Sequence, residues 1–207
     1  MKNIIFSLLY SLGIQNILCK YRIKNKEITV LMFHRVSNNY DRLWPPMPIK
    51  TFEFLMKEIS KKTYVIPLEK IYELEKYPDK PLVALSFDDG YIDFYENALP
   101  ILKQYNLPAH HNICPNLIDN QRIPWTQALN LFLQTNPDKT IKLPDKTSFK
   151  IENNINENTF IKICNELYKI DEEERNKWID TLQIQMIINI IRIFADNTGI
   201  CFIDNFF

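Results

Sequence analysis

The spacing of apolar residues changes repeatedly between strand-like and helical in the first half of the chain. Short apolar runs bounded by polar residues are typical of buried strands, whereas apolar residues three and four positions apart indicate one face of a helix. The elements predicted here are, in order, strand 28–33, helix 49–61, strand 64–66, helix 68–75, strand 82–85, helix 93–105 and a strand near 110–114. Strands that alternate with helices predict a mostly parallel sheet or barrel with the helices outside.

The second half of the chain, from Trp125 onward, has longer helical segments separated by a polar stretch that contains prolines. The acidic run 171–174 suits a helix N-terminus, where the macrodipole favours negative charge. We therefore predict an α/β fold whose C-terminal half is mainly helical. The elements predicted in this half are helix 125–134, a small hairpin of 141–143 with 148–151, helices 158–168 and 171–196, and the start of a strand at 200–203.

Composition limits the classes of function that the chain can have. Its 207 residues suffice for one domain with a hydrophobic core, and 46% of them are hydrophobic. The formal net charge is zero, and no basic stripe indicates a nucleic acid partner. Cys19, Cys114, Cys164 and Cys201 are far apart in the sequence. They predict buried free thiols rather than a structural zinc site or a disulfide framework, which slightly favours a reducing compartment.

The N-terminal residues have a separate apolar pattern. Lys2 precedes an apolar run that resembles a signal-peptide core, but polar residues interrupt the run and no small-x-small cleavage site follows. The run is also too short to span a bilayer. We predict instead an amphipathic helix within residues 1–26, which docks or makes peripheral membrane contact through residues 4–18. The compartment is left open between the cytoplasm and the cell envelope.

The sequence Ser-Phe-Asp-Asp-Gly-Tyr at 86–91 directly follows the predicted strand 82–85. Two adjacent carboxylates, Asp88 and Asp89, repel each other and lose hydration at the end of a buried strand, a cost that a metal ion or a reaction can offset. An Asp-Asp-Gly triplet is also an ordinary turn, and Asp is a good helix N-cap. Because reactive residues lie at the carboxyl ends of parallel strands, the preceding strand favours a functional site.

This motif resembles the first motif of the NodB-type polysaccharide deacetylases (carbohydrate esterase family 4). The stretch 31–36 is similar to the opening strand of many members, and residues 95–102 with the following Leu-Pro-Ala at 107–109 are similar as well. The resemblance extends over about residues 28–126. It is weaker afterwards, where the helical stretch at about 127–195 looks like an insertion found in one branch of the family. It implies a distorted (β/α) barrel and the removal of N-acetyl groups from glycans. We therefore expect residues 27–207 to form a partial barrel of this type.

The resemblance also implies roles for the two acids. The leading Asp of the family motif is the catalytic base and the following Asp binds a divalent metal, usually zinc, which assigns these roles to Asp88 and Asp89. The family's second motif, His-x-x-x-His, supplies two further ligands. Residues 193–202 resemble the approach to it, but the stretch Ile-Asp-Asn-Phe-Phe at 203–207 then stands in its place. We therefore expect zinc with an incomplete ligand set, in a domain truncated before this motif.

Four further residues are candidates for the substrate groove. His34 ends the first predicted strand on the same rim as the acids, and Tyr91 follows them. His111 lies on a predicted strand next to His110, and these two side chains point to opposite faces, so at most one faces the centre. Trp125 could stack on a sugar ring. Ordinary roles stay open for each of them: a structural or surface histidine, or a buried helix start for Trp125.

The leading hypothesis is thus a metal-dependent glycan N-deacetylase, with weak or no activity because a catalytic zinc commonly has three protein ligands. A non-catalytic remnant or glycan-binding module and an envelope assembly protein at a membrane surface are the alternatives. An Asp-dependent phosphatase usually needs an Asp-x-Asp spacing, which this strand end lacks. Asp93 and Glu96, on the helix after the motif, are expected to be exposed to solvent.

Overall fold

The computed structural model describes residues 14–119, 123–153 and 155–198. In the described chain, one compact unit contains Pro46–Pro115 and the residues before Asp41, and a second contains Asp41–Pro45 and the residues from Asn116 onward. We call them unit 1 and unit 2. The predicted domain bounds, 1–26 and 27–207, stay predictions. The apolar residues before Ile14, Cys201 and the strand predicted at 200–203 lie outside the described residues.

The elements of the first part of the chain follow the predicted order. Strands and helices alternate, and each strand has at most six residues. The elements are helix α1 (Ile14–Lys24), strand β1 (Ile28–Phe33), helix α2 (Ile49–Lys62), strand β2 (Tyr64–Val65), a 3₁₀ helix (Leu68–Glu73), strand β3 (Leu82–Phe87), a π-helical turn (Phe94–Ala98), helix α3 (Leu99–Gln104), strand β4 (His110–His111) and helix α4 (Pro115–Asp119).

Strand β3 is the centre of a four-stranded parallel sheet in unit 1. Strand β1 pairs with it along its whole length, from Ile28 opposite Leu82 to Phe33 opposite Phe87. Strand β2 pairs with the first two residues of β3, and β4 pairs with the last two. All six residues of β3 are buried, as a continuous apolar run in a parallel sheet predicts. The α/β class and the parallel strands expected of a partial (β/α) barrel are confirmed.

Three strands of this sheet end together. Because β1 and β3 are parallel and in register to their last residues, the chain leaves both strands at the same edge of the sheet. The backbone N–H of Asp88 donates to the carbonyl of Phe33 (2.9 Å), and that of Asn112 donates to the carbonyl of Phe87 (2.7 Å). The residues that follow β1, β3 and β4 are therefore held side by side at one rim.

Aromatic rings form the core of unit 1 beneath this rim. Phe33 stacks on Phe87 with ring centroids 5.1 Å apart, and Phe52 meets both rings edge-on, at 5.5 and 5.8 Å. Phe94 contacts Phe87 at 4.8 Å. Such pairs each contribute about 0.5–1.5 kcal/mol beyond the burial of their area. The strand ends thus rest on a tightly packed aromatic cluster.

Two helices of unit 1 differ from the prediction. The segment expected as helix 68–75 is a shorter 3₁₀ helix, and the helix expected at 93–105 begins as a π-helical turn. In that turn the N–H of Leu99 donates to the carbonyl of Phe94, five residues earlier. Pro100 has no N–H with which to continue an α-helical pattern, and it occupies the start of α3, where none is needed.

Unit 2 is helical with one hairpin, as predicted from the sequence. Asp41 caps its first segment by accepting from the backbone N–H groups of Leu43 and Trp44, both at 3.0 Å. Asn130 donates to the same carboxylate at 2.7 Å. Trp178 donates from its indole N–H to the hairpin carbonyl of Lys142. The elements of unit 2 are α5 (Trp125–Thr135), β5 (Thr140–Lys142), β6 (Ser148–Lys150), α6 (Glu157–Leu167) and α7 (Glu172–Thr198).

Two expectations about the termini and the thiols can be compared with the structure. Helix α1 contains Ile17 and Leu18, both more than half exposed. Among the described helices none combines the length and the apolarity that crossing a bilayer requires.

The described cysteines are free thiols, as predicted, but only Cys164 is buried; Cys19 and Cys114 are half-buried. The expectation that the thiols are buried is therefore wrong for these two.

Candidate active site at the ends of strands β1, β3 and β4

The turn after β3 has an unusual backbone. Asp89 has φ +73° and Gly90 has φ +75°, so two successive residues are in the left-handed region. Glycine adopts this conformation easily, whereas an aspartate in it costs about 1 kcal/mol. A Cβ atom added to Gly90 would lie 3.4 Å from Cγ2 of Ile113. The turn therefore needs glycine at its second position, and strain is stored at Asp89, as is common at functional sites.

Asp88 is half-buried and held by side chains from two strands. Its Oδ1 accepts from Nδ2 of Asn112 (2.7 Å) and from the hydroxyl of Ser86 (3.3 Å). Oδ1 of Asn112 lies 2.9 Å from Nε2 of His110. The amide N–H₂ of Asn112 thus faces Asp88, and its Oδ1 faces the His110 ring. Sequence reasoning missed Asn112; the only available signal was its position at the end of β4.

Asp89 lies beside His34, the residue that follows β1. Nε2 of His34 is 4.0 Å from Oδ2 of Asp89, and about one third of each side chain is exposed. Two ligands of one tetrahedral zinc ion stand about 3.4 Å apart, so a small side-chain movement would let both bind the same ion. Among the described residues, no group of three or more His, Cys, Asp or Glu side chains could hold a metal ion. The residues fit part of a zinc site.

The next acid along the chain, Asp93, is buried, and the expectation that it is exposed is wrong. Its carboxylate accepts from Nε of Arg35 at 3.0 Å, and the exposed fractions of the two side chains are 8% and 18%. The guanidinium of Arg35 also lies over the ring of Tyr91, 5.4 Å from its centroid. The ion pair attaches the start of the π-helical turn to the loop after β1. The expectation for Glu96 is correct, since this residue is exposed.

His111 faces the aromatic core of unit 1. Its ring stacks on Phe94 with centroids 3.9 Å apart, and its Nε2 is buried with no hydrogen-bond partner in the part of the chain that the structure describes. Burial lowers the pKa of His111, the charge of Asp88 opposes this effect, and His110 adds slightly to it. The groove role predicted for His111 stays a prediction, and its visible role is packing.

The predicted site residues are thus distributed over both units. In unit 1, His34 lies beside Asp89, and Tyr91 lies under Arg35. Trp125 belongs to unit 2, where it begins α5 as the alternative interpretation predicted, although it is half-buried rather than buried. Its ring meets Tyr168 edge-on at 5.1 Å, and Arg175 lies 5.0 Å from its centroid. A sugar-stacking role for Trp125 stays a prediction.

Comparisons with known proteins cover the part of the chain that contains the motif at 86–91. The polysaccharide deacetylase family model matches residues 75–159, less than half of the chain. A Bacillus subtilis (strain 168) protein described as "Putative polysaccharide deacetylase YxkH" is 34% identical over 90 residues, which are 42% of this chain and 31% of that protein. The chain therefore spans less than a third of this curated relative.

Two solved structures are also similar to this chain. The Streptococcus pyogenes deacetylase PplD, in complex with acetate, has 26% identity and a TM-score of 0.41 over 50% of this chain and 51% of its own. A de-N-acetylase from Aggregatibacter actinomycetemcomitans has 22% identity and a TM-score of 0.39 over 75% and 74%. The family match and the curated relative confirm the resemblance found in the sequence: residues 75–159 are similar to the polysaccharide deacetylase family.

Proposed function

We propose that this chain is a metal-dependent hydrolase that removes N-acetyl groups from a glycan, with Asp88 as the catalytic base. The observation that carries the proposal is the rim geometry, in which Asp88 accepts hydrogen bonds from Asn112 and Ser86 while the strained turn directs Asp89 to His34. Amide hydrolysis needs an activated water, a stabilised oxyanion and a proton for the leaving amine.

Asp88 supports the proton-transfer part of this reaction. A carboxylate that accepts hydrogen bonds has a fixed orientation, so its second oxygen is available to accept a proton from water. Asp89 and His34 are the residues that would hold the metal. The bound metal would lower the pKa of water and polarise the amide carbonyl. Because the sequence contains no His-x-x-x-His, we expect slow turnover from this chain.

Metal binding is the first test. Isothermal titration calorimetry with zinc should give one site. Asp89→Asn should raise its dissociation constant at least tenfold, which corresponds to about 1.4 kcal/mol. His34→Gln should weaken it in the same direction. The matched control is Asp79→Asn, which changes an exposed acid of the same unit and should leave the titration unchanged. Equal zinc binding by Asp89→Asn and Asp79→Asn contradicts the proposal.

Acetate release is the second test. The purified chain, incubated with zinc and N-acetylglucosamine oligomers, should release acetate slowly, and Asp88→Asn should reduce the rate by about 10²-fold or more. Release that is unchanged in Asp88→Asn would come from another enzyme and would contradict the role of Asp88. A chain that binds zinc and releases no acetate would instead be the non-catalytic module considered above.

A further inference from the structure

A polar cavity of about 280 Å³ lies in unit 1, next to the ion pair of Arg35 and Asp93. It is lined by the loop after β1, which includes Ser37 and Asn39, and by the first turn after the acid motif, which includes Tyr91 and Asp93. Ligand pockets for drug-sized molecules measure about 300–1,000 Å³. This cavity is slightly smaller than that range, so it has room for a smaller ligand of roughly one sugar ring.

The walls of the cavity are held in place without a ligand. The hydroxyl of Ser37 accepts from the backbone N–H of Asn39 (3.0 Å), and the side chain of Asn38 accepts from the N–H of Ile49 (3.1 Å). Asn97 donates from its amide to the carbonyl of Val36 at 2.8 Å. These bonds attach the loop to α2 and to the π-helical turn. A cavity with preformed walls loses little conformational entropy when it binds a ligand.

Asp93, one of the residues that line the cavity, has an acceptor that needs a donor. Oδ2 of Asp93 accepts from Arg35, whereas Oδ1 is buried and has no hydrogen-bond partner within the described residues. Leaving such an oxygen without a donor costs about 1–3 kcal/mol. A hydroxyl or an amine that enters the cavity, with a small movement of the residues above, would supply this donor, as would a water molecule.

Charge limits which ligand fits. Two carboxylates, Asp93 and Glu96, and one guanidinium, Arg35, line the cavity, so its formal charge is −1 (+1 − 2). Anionic ligands such as phosphates are therefore disfavoured. A carboxylate–guanidinium pair beside an aromatic ring suits a neutral or cationic molecule with several hydroxyl donors.

We propose that this cavity is a subsite for one hexosamine unit of a glycan chain, which donates to the Asp93 carboxylate and lies near Tyr91. The sugar class rests on the proposed function, whereas the cavity and its charge do not. The residues are separate from the catalytic base, Asp88. Because of the net negative charge, a unit with a free amine binds more tightly than its acetylated form.

The test uses the full chain and nuclear magnetic resonance titrations with two probes, N-acetylglucosamine trimer and glucosamine trimer. Dissociation constants of about 1 mM or weaker are expected for a single subsite. Asn39→Trp fills the exposed side of the cavity and should weaken both constants at least tenfold. Asn25→Trp, the same change at an exposed asparagine outside the cavity, should leave them unchanged. Glu96→Gln should reduce the preference for the glucosamine trimer.

Several results would overturn the subsite. They are the absence of binding by the unaltered chain, equal binding by Asn39→Trp and Asn25→Trp, or a preference for the acetylated trimer. Asp88→Asn separates this proposal from the deacetylase reaction, because it should abolish acetate release and leave both constants unchanged. If the unaltered chain releases no acetate but Asn39→Trp still weakens binding, the reaction is excluded and the subsite stands.

Discussion

The amide of Asn112, just beyond β4, donates a 2.7 Å hydrogen bond to the carboxylate of Asp88, just beyond β3. This bond joins two neighbouring strand ends at the point where the proposed base lies. A hydrogen bond to a charged acceptor is stronger than one between neutral groups. The orientation of Asp88 therefore depends on a residue outside the Asp-Asp-Gly motif.

Removal of this bond should be measurable as a coupling energy. Asn112→Ala, Asp88→Ala and the double variant form a cycle in which we expect about 1 kcal/mol of interaction between the two residues. Urea unfolding followed by circular dichroism gives the four free energies of unfolding, those of the three variants and of the unaltered chain. The cycle of Asp88→Ala with Asn25→Ala, whose asparagine is exposed and distant in sequence, should give a value near zero. Similar values for both cycles would contradict the contact.

Gly90→Ala should destabilise the protein by about 1–2 kcal/mol, because alanine is strained at φ +75°, whereas its Cβ would only make an ordinary contact with Ile113. Gly90→Asn should cost less than alanine despite its larger side chain, because asparagine tolerates the left-handed region. Thermal unfolding of the two variants gives the comparison. If Gly90→Asn were destabilised more than Gly90→Ala, as side-chain size alone would predict, the backbone angle would not be the cause.

Breaking the buried ion pair should cost more than breaking an exposed one. Asp93→Ala leaves the guanidinium of Arg35 without its carboxylate, and we expect a loss of about 3 kcal/mol in the free energy of unfolding. Glu173→Ala removes the partner of Lys177 in a pair that is about three-quarters exposed, and should cost less than about 1 kcal/mol. Denaturant unfolding of both variants measures the difference; equal losses would contradict the burial of Asp93.

The lowered pKa of His111 should make stability depend on pH. Below the ordinary histidine pKa of about 6.5, the unfolded chain binds a proton that the folded chain binds less readily. The contribution of His111 is therefore fully present above this pH and is lost as the pH falls below it. His111→Phe should flatten the profile between about pH 5 and 7, whereas His110→Gln should keep most of it. An unchanged profile in His111→Phe would exclude this cause.

The thiols should differ in reactivity. Burial raises the pKa of Cys164 to about 12, so almost none of this residue is thiolate at neutral pH. Iodoacetamide at about pH 8 should label Cys19 and Cys114, which are half-buried, well before Cys164. Peptide mass spectrometry of the native and the urea-unfolded chain reads the order. Simultaneous labelling in the native chain would show that unit 2 opens readily.

The sequence predicted those features that depend on local pattern. The buried run of β3, the helix α2 and the hairpin of unit 2 follow from apolar spacing, and the position of the acids follows from the strand before them. Asn112 and Asp93 could not be predicted, because their roles depend on tertiary neighbours. Asp93 is buried next to Arg35, 58 residues earlier, whose charge neutralises it. Likewise, a π-helical turn is present where an α-helical one was expected. Pro100 lacks the backbone N–H that an α-helical turn would use, and apolar spacing does not indicate this.

That wide turn sets a limit on how this chain can change length. It holds one residue more than an α-helical turn would use over the same rise, and both Asp93 and Asn97 are fixed by bonds to the loop after β1. Deleting a single residue between Phe94 and Ala98 would therefore leave an ordinary α-helical turn and keep the residues on either side of it in register. A deletion within α3 would instead rotate the residues before it by about 100° relative to those after it. One-residue deletions in related chains should therefore fall in this turn rather than in α3.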